Sequence, residues 1–245
     1  MAGATIAECE FCGGTGWRPV DGAPKAPLVP CECREQAKAQ RRIEFAGIPA
    51  KYSECGFANF QPGPTGSSLW RAREAALQYQ MLYPTNDYRG LLFVGPPGVG
   101  KTHLMVAVVR TLCQKGIDCL FIDYQDLLRS IQNCYNPSAH TTEYQLLEPV
   151  LKTEIVAIDD LGNNRISEWV EDTVTYVVNH RYSENLPTLF TANLSEERMS
   201  GSEGDRSTHP TFEERLGVRV ASRLREMCKF VKIDSPDYRR RAGGK

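Results

Sequence analysis

Apolar positions along this chain follow two different rhythms. From residue 91 onward, short apolar runs alternate with longer stretches whose apolar residues recur at three- and four-residue intervals. That alternation predicts an α/β fold, with strands joined by crossover helices around a mainly parallel sheet. The predicted strands are 91–95, 119–124, 154–160, 187–193 and 229–233, and the predicted helices 101–114, 126–135, 141–152, 167–184 and 214–227. Residues 1–60 are rich in Cys, Gly and Pro and show sustained periodicity only over 34–45, which predicts one short helix. The stretch 61–67 reads as a loop, with Ser68 expected to cap a helix over 69–82, and the polar stretch 195–212 reads as a helix stub followed by a mobile loop.

Length and composition fit this division. A chain of 245 residues, 41% hydrophobic, has material for one sizeable core and a small appendage. The expected organisation is a head over 1–60, a linker and leading helix over 61–90, and a main domain over 91–245. Lys and Arg number 29 against 30 Asp and Glu, so the whole-molecule field does not select a large polyanion and any nucleic-acid contact must be local. The segment MAGATIAECEFC carries no signal pattern, and no stretch reaches the ~18 apolar residues of a membrane span, so a cytoplasmic protein without membrane contact is expected. Nine cysteines include Cys113, Cys119 and Cys228 inside apolar patterns, which suits reduced, buried thiols rather than a disulfide framework.

The chemistry starts at Gly95-Pro96-Pro97-Gly98-Val99-Gly100-Lys101-Thr102, which fits G-x-x-x-x-G-K-T between an apolar strand and an apolar-periodic helix. Its backbone N–H groups can cradle phosphates, Lys101 can reach the β and γ phosphates of ATP, and the Thr102 hydroxyl can ligate Mg²⁺. The candidate nucleotide contacts run from Gly95 to His103. A second apolar run, Ile155-Val156-Ala157-Ile158, ends in Asp159-Asp160. Two adjacent acids there suit Asp159 at Mg²⁺ and Asp160 as the base for an attacking water; a solvated strand-end turn is the plain alternative. The strand 187–193 ends in Thr191-Ala192-Asn193, where Asn193 is either a turn former or a polar group beside the γ-phosphate.

With these motifs and the run from Ser167-Glu168-Trp169-Val170 through Asn185 to Asn193, the chain resembles the DnaC/DnaI helicase loaders and related IstB transposition ATPases of the AAA+ class. The resemblance implies a sheet order of 5-1-4-3-2 and an ATP site completed by a second subunit in a homo-oligomer formed with ATP. It marks Arg223, in Ser222-Arg223-Leu224, as an arginine finger offered in trans, although by residue pattern Arg215, Arg219, Arg223 and Arg225 equally suit a solvated helix face. It also places Arg239, after Asp237-Tyr238, where loaders carry a phosphate-sensing arginine; a solvated basic tail is the alternative. The C-terminal helical lid of larger AAA+ proteins is expected to be missing.

Cys9-x-x-Cys12 and Cys31-x-Cys33 offer four thiolates in a segment too poor in apolar residues to fold alone, so a structural Zn²⁺ is expected, free thiols being the alternative. Cys9 to Gly16 is similar to one zinc repeat of a DnaJ-type chaperone, a function that a single copy beside a P-loop argues against, and Cys55 has no assignment. In DnaI-like loaders an N-terminal zinc domain binds the helicase. The resemblance therefore implies an ATPase that places a hexameric replicative helicase on single-stranded DNA. The alternatives are an IstB-like regulator of a transposase on duplex DNA and an ATP-binding adaptor without hydrolysis.

Overall fold

The computed structural model describes residues 9–20, 26–85, 90–136, 138, 140–163, 167–194 and 210–238. In chain order its elements are β1 (Trp17–Pro19), β2 (Leu28–Pro30), α1 (Glu32–Phe45), α2 (Ser68–Leu82), β3 (Gly90–Val94), α3 (Lys101–Gln114), β4 (Cys119–Asp123), α4 (Tyr124–Cys134), α5 (Glu143–Lys152), β5 (Ile155–Leu161), α6 (Glu168–Ser183), β6 (Thr188–Ala192), α7 (Phe212–Met227) and β7 (Cys228–Lys232). β1 and β2 form a small antiparallel pair. The other five strands are parallel, in the order β7-β3-β6-β5-β4; counted within this sheet alone, that is 5-1-4-3-2.

Period-two alternation explains how the sheet feeds two cores. Leu92, Val94, Val156, Ile158, Phe190 and Ala192 point to the face covered by α4, α5, α6 and α7. Leu91, Phe93, Ile155, Ala157 and Leu189 point to the opposite face, beneath α2 and α3. β3 lies between β6 and β7 and is buried at all five positions, as its unbroken apolar run requires. α3 is apolar on nearly every side because it lies between the sheet and two further helices, α1 and α2, and Leu104, Met105, Val106 and Val108 are fully buried.

Caps set several helix starts. Ser67, not Ser68, caps α2 by accepting the Trp70 N–H. Ser68 instead donates its hydroxyl to the Asp234 carbonyl at 2.6 Å, tying α2 to the segment after β7. Asp123 caps α4 through the Gln125 and Asp126 N–H groups, which ends β4 one residue before the predicted strand end and starts the helix two residues before its predicted start. α7 opens with a Thr211/Glu214 capping box but breaks at Gly217 (φ 79°, ψ 158°), so the helix predicted over 214–227 is not continuous. α1 begins at Glu32 rather than at 34, which brings Cys33 into its first turn. Its far end belongs to the main core: Ala46 is fully buried there, Ile43 packs against the same cluster, and the Ala46 carbonyl accepts the Phe121 N–H of β4 at 2.6 Å. Residues 195–209, which hold most of the predicted stub and loop, and Arg239 lie outside the described residues. No helix among the described residues is long and apolar enough to cross a membrane.

Candidate functional site

The loop between β3 and α3 meets the ends of β5 and β6 at the carboxyl edge of the sheet, the edge at which open α/β sheets bind ligands. Gly98 (φ 78°) and Gly100 (φ 97°) adopt left-handed conformations that L side chains rarely take. They let the loop curl into the N-terminus of α3, where N–H groups and the helix dipole favour an anion. Lys101 is buried, and its Nζ donates to the carbonyls of Gly95 and Pro96, each at 2.8 Å, and to Asn193 Oδ1 at 2.7 Å.

Asp159 and Asp160 sit in different surroundings. Asp159 is 6% exposed and accepts hydroxyl hydrogen bonds from Thr102 at 2.8 Å and Thr191 at 2.5 Å on one carboxylate oxygen. Burial pushes its pKa up, and the two hydroxyls pull against that rise. The Thr102 hydroxyl and the Asp159 carboxylate are hard oxygen donors within hydrogen-bond reach of one another, a donor set that fits Mg²⁺. Asp160, at φ 60° beside a bulge in β5, turns outward: Asn193 Nδ2 donates to its Oδ1 at 2.7 Å and Asn163 Nδ2 to its Oδ2 at 3.0 Å. Lys101, Asn193, Asp160 and Asn163 thus form one continuous chain of hydrogen bonds.

At the head, Cys9 Sγ lies 3.7 Å from Cys31 Sγ and Cys12 Sγ 3.5 Å from Cys33 Sγ, all four within 4.8 Å of one another. These separations are far beyond a disulfide bond. The two shorter ones match the sulfur–sulfur edge of a tetrahedron with Zn–S bonds of about 2.3 Å, and four thiols gathered this closely fit Zn²⁺. Cys9 and Cys12 come from a turn stabilised by the Gly13 N–H on the Cys9 carbonyl, while Cys31 stands just before α1 and Cys33 lies in its first turn. Burial opposes ionisation of Cys12, but the Gly16 N–H and the thiols of Cys33 and Cys9 outweigh it and bring Cys12 down to about 6; burial and the thiols of Cys12, Cys31 and Cys9 push Cys33 up.

A sequence model of the IstB-like ATP binding protein family matches residues 75–244, which includes every element from β3 onward. The chain belongs to the IstB-like ATP-binding family. It is 27% identical to the replicative helicase loader DnaC of Escherichia coli (strain K12) over 232 residues, 94% of this chain and 86% of that one. The replicative helicase loader DnaI of Bacillus subtilis (strain 168) is 27% identical over 156 residues, 63% of this chain and 49% of DnaI. Among solved structures, a crystal structure of the DnaC helicase loader superposes with a TM-score of 0.62 at 28% identity, covering 76% of this chain and all of that one. A crystal structure of DnaI gives 0.61 at 22% identity over 80% of this chain and 98% of that one, a likeness of fold.

The residues named from sequence do not all converge. Lys101, Thr102, Asp159, Asp160 and Asn193 do. The His103 imidazole turns to the Gly56 carbonyl at 2.9 Å and Asn59 Oδ1 at 3.1 Å, with the Phe60 ring edge-on to it, so its side chain ties α3 to the 56–60 segment. Arg223 stacks over the Tyr182 ring at 4.2 Å and faces Glu226 Oε2 at 3.5 Å on the exposed α6/α7 surface. Thr191 and Asn163 join the site without a role expected from sequence. Thr191 lies two residues before Asn193 on the same strand face, a period-two signal, and it joins both acids by donating to Asp159 and accepting the Asp160 N–H at 2.9 Å.

Proposed function

We propose that this chain is an ATP-dependent loader that binds a hexameric replicative DNA helicase and places it on single-stranded DNA. The observation that carries the reading is the extent of the likeness to DnaC, 94% of this chain and 86% of that protein. In this reading the N–H groups of the Gly95–Gly100 loop and Lys101 hold the phosphates of ATP, and Arg239 contacts them from the C-terminal segment. Thr102 and Asp159 hold Mg²⁺, whose charge offsets that of the β and γ phosphates. Asn193 positions the lytic water. Asp160 takes its proton as the water oxygen bonds the γ-phosphorus and the bond to the bridging oxygen breaks, leaving ADP and phosphate. Arg223 of one copy enters the site of the next, so the ATP-bound protein acts as a homo-oligomer. Cys9, Cys12, Cys31 and Cys33 hold Zn²⁺, and the head over 1–60 selects the helicase.

The test is transfer of the cognate hexameric helicase onto circular single-stranded DNA, with ATP and with a slowly hydrolysed analogue. The expected result is ATP-dependent loading that Lys101→Ala and Cys9→Ser each abolish; loading unchanged by the protein refutes the reading. The family match over 75–244 supports a second reading, an ATPase that presents duplex DNA to a transposase. Strong preference for duplex over single strands in a gel-shift series, with retention of a transposase, would favour it.

A further inference from the structure

Asp160 cannot act as a base unless its carboxylate faces the water, and a free Asp side chain is loosely held about its last torsion. The chain solves this locally. Asp160-Leu161-Gly162-Asn163 closes a tight turn in which the Asn163 N–H donates to the Asp160 carbonyl at 3.2 Å. Gly162, the third residue, has φ 76°, as a type II turn demands of that position, and a Cβ there would meet Leu194 Cδ1 at 2.7 Å. The turn swings the Asn163 amide back onto Asp160 Oδ2 at 3.0 Å, while Asn193 on β6 holds Oδ1 at 2.7 Å. Behind it, Gln125 Nε2 of α4 donates to the Asn163 carbonyl at 3.3 Å and anchors the turn. Two amides on opposite oxygens fix the carboxylate plane; one alone would leave it free to swing. A carboxylate has about four acceptor sites, so two amides leave room for a water.

We propose that Asn163 is the positioning residue for Asp160, setting the carboxylate plane for water activation; this rests on the ATPase reading given above. The hydrogen bonds of Asn163 go to Asp160 and to Gln125 of α4, so its effect falls on the chemical step and not on nucleotide affinity.

The experiment compares the parent chain with Asn163→Ala, Asp160→Asn and the double variant, measuring single-turnover phosphate release from prebound Mg-ATP and the affinity for a fluorescent ATP analogue. The expected result is release slowed about tenfold by Asn163→Ala, a fraction of what a positioned base supplies. Analogue affinity stays within about twofold, and no further slowing follows in the Asp160→Asn background, because coupled residues are not additive. Release at the parent rate, an affinity loss that matches the rate loss, or equal slowing with and without Asp160 would each overturn the assignment. No turnover in the parent would overturn the ATPase reading and this assignment with it; turnover in the parent with Asn163→Ala at parent rate would overturn the assignment alone.

Discussion

Arg181 is the largest fully buried side chain among the described residues, and no carboxylate is among its hydrogen-bond partners there. From α6 its Nε donates to Thr188 Oγ1 at 2.8 Å, one terminal nitrogen to the carbonyls of Val150 and Thr153 at 2.8 and 3.0 Å, and the other to those of Glu154 and Pro187 at 3.2 and 2.7 Å. One guanidinium thus joins the end of α5, the approach to β5 and the start of β6. Pro187 O also accepts the Val156 N–H, so Arg181→Met would leave chiefly three carbonyls short of a partner, that of Val150 buried and those of Thr153 and Glu154 part-buried. At about 2 kcal/mol for each, the loss is about 6 kcal/mol. Against this, burial pushes the Arg181 pKa down to about 10, and removing the charge relieves a desolvation burden of about 3 kcal/mol. The expected net destabilisation is about 3 kcal/mol, or about 9 °C in Tm for a chain of this size. Arg181→Lys should recover less than half, because an ammonium cannot span acceptors that a planar fork reaches on both sides. Urea and thermal unfolding at pH 7 measure both variants. A methionine variant as stable as the parent would show that desolvation cancels the five hydrogen bonds and refute the reasoning.

Three further outcomes follow from the site and the head. Burial raises the pKa of Asp159, so its ionisation costs the fold stability at neutral pH; Asp159→Asn should raise the thermal midpoint of nucleotide-free protein at pH 7. That gain should shrink as pH falls through the raised value towards the ordinary carboxylate range, and the variant should lose the stabilisation that Mg-nucleotide gives the parent; a lower midpoint at pH 7 contradicts this. Gly98→Ala places a Cβ 1.8 Å from Asp237 Oδ1 on a backbone at φ 78°, and should weaken ATP-analogue binding about tenfold, with partial recovery when Asp237→Gly removes the clash but not the strain. Metal analysis should find one zinc per chain, and a chelator should release it with four thiols becoming titratable and hydrogen exchange rising across 9–45 while β3 and β5 stay protected.

Local patterns carried most of this architecture. The phosphate loop is a contiguous string whose glycines need positive φ at Gly98 and Gly100, and both the apolar run before it and the periodicity after it are visible without tertiary information. The two acids end a strand, so their position follows from the strand itself. What sequence could not supply was set by contacts across the chain. Ser67 and Ser68 are equivalent as caps until Asp234 engages one of them. Arg181 sits in a helical pattern like any surface arginine, and only the junction of α5, β5 and β6 shows what it binds. Asn163 follows a glycine as an ordinary turn residue does, and only the folded turn lays it onto Asp160. Gly217 breaks a helix where Glu171 crowds the backbone, its carboxylate 2.3 Å from where a Cβ would stand. A trans role for Arg223 requires a second copy, which no single chain contains.

α1 starts among the four clustered cysteines and ends against α3 and β4, with Arg42 Nε 3.1 Å from Asp118 Oδ1 and the Ala46 carbonyl on the sheet edge. Fourteen helical residues make a strut about 21 Å long. The head is therefore less a bead on a string than a signpost fixed to a wall: whatever it grips is held at a set bearing relative to the phosphate loop. Copies arranged in a ring or spiral would then carry their heads as a crown of fixed pitch, and a partner would be met by angle as much as by affinity.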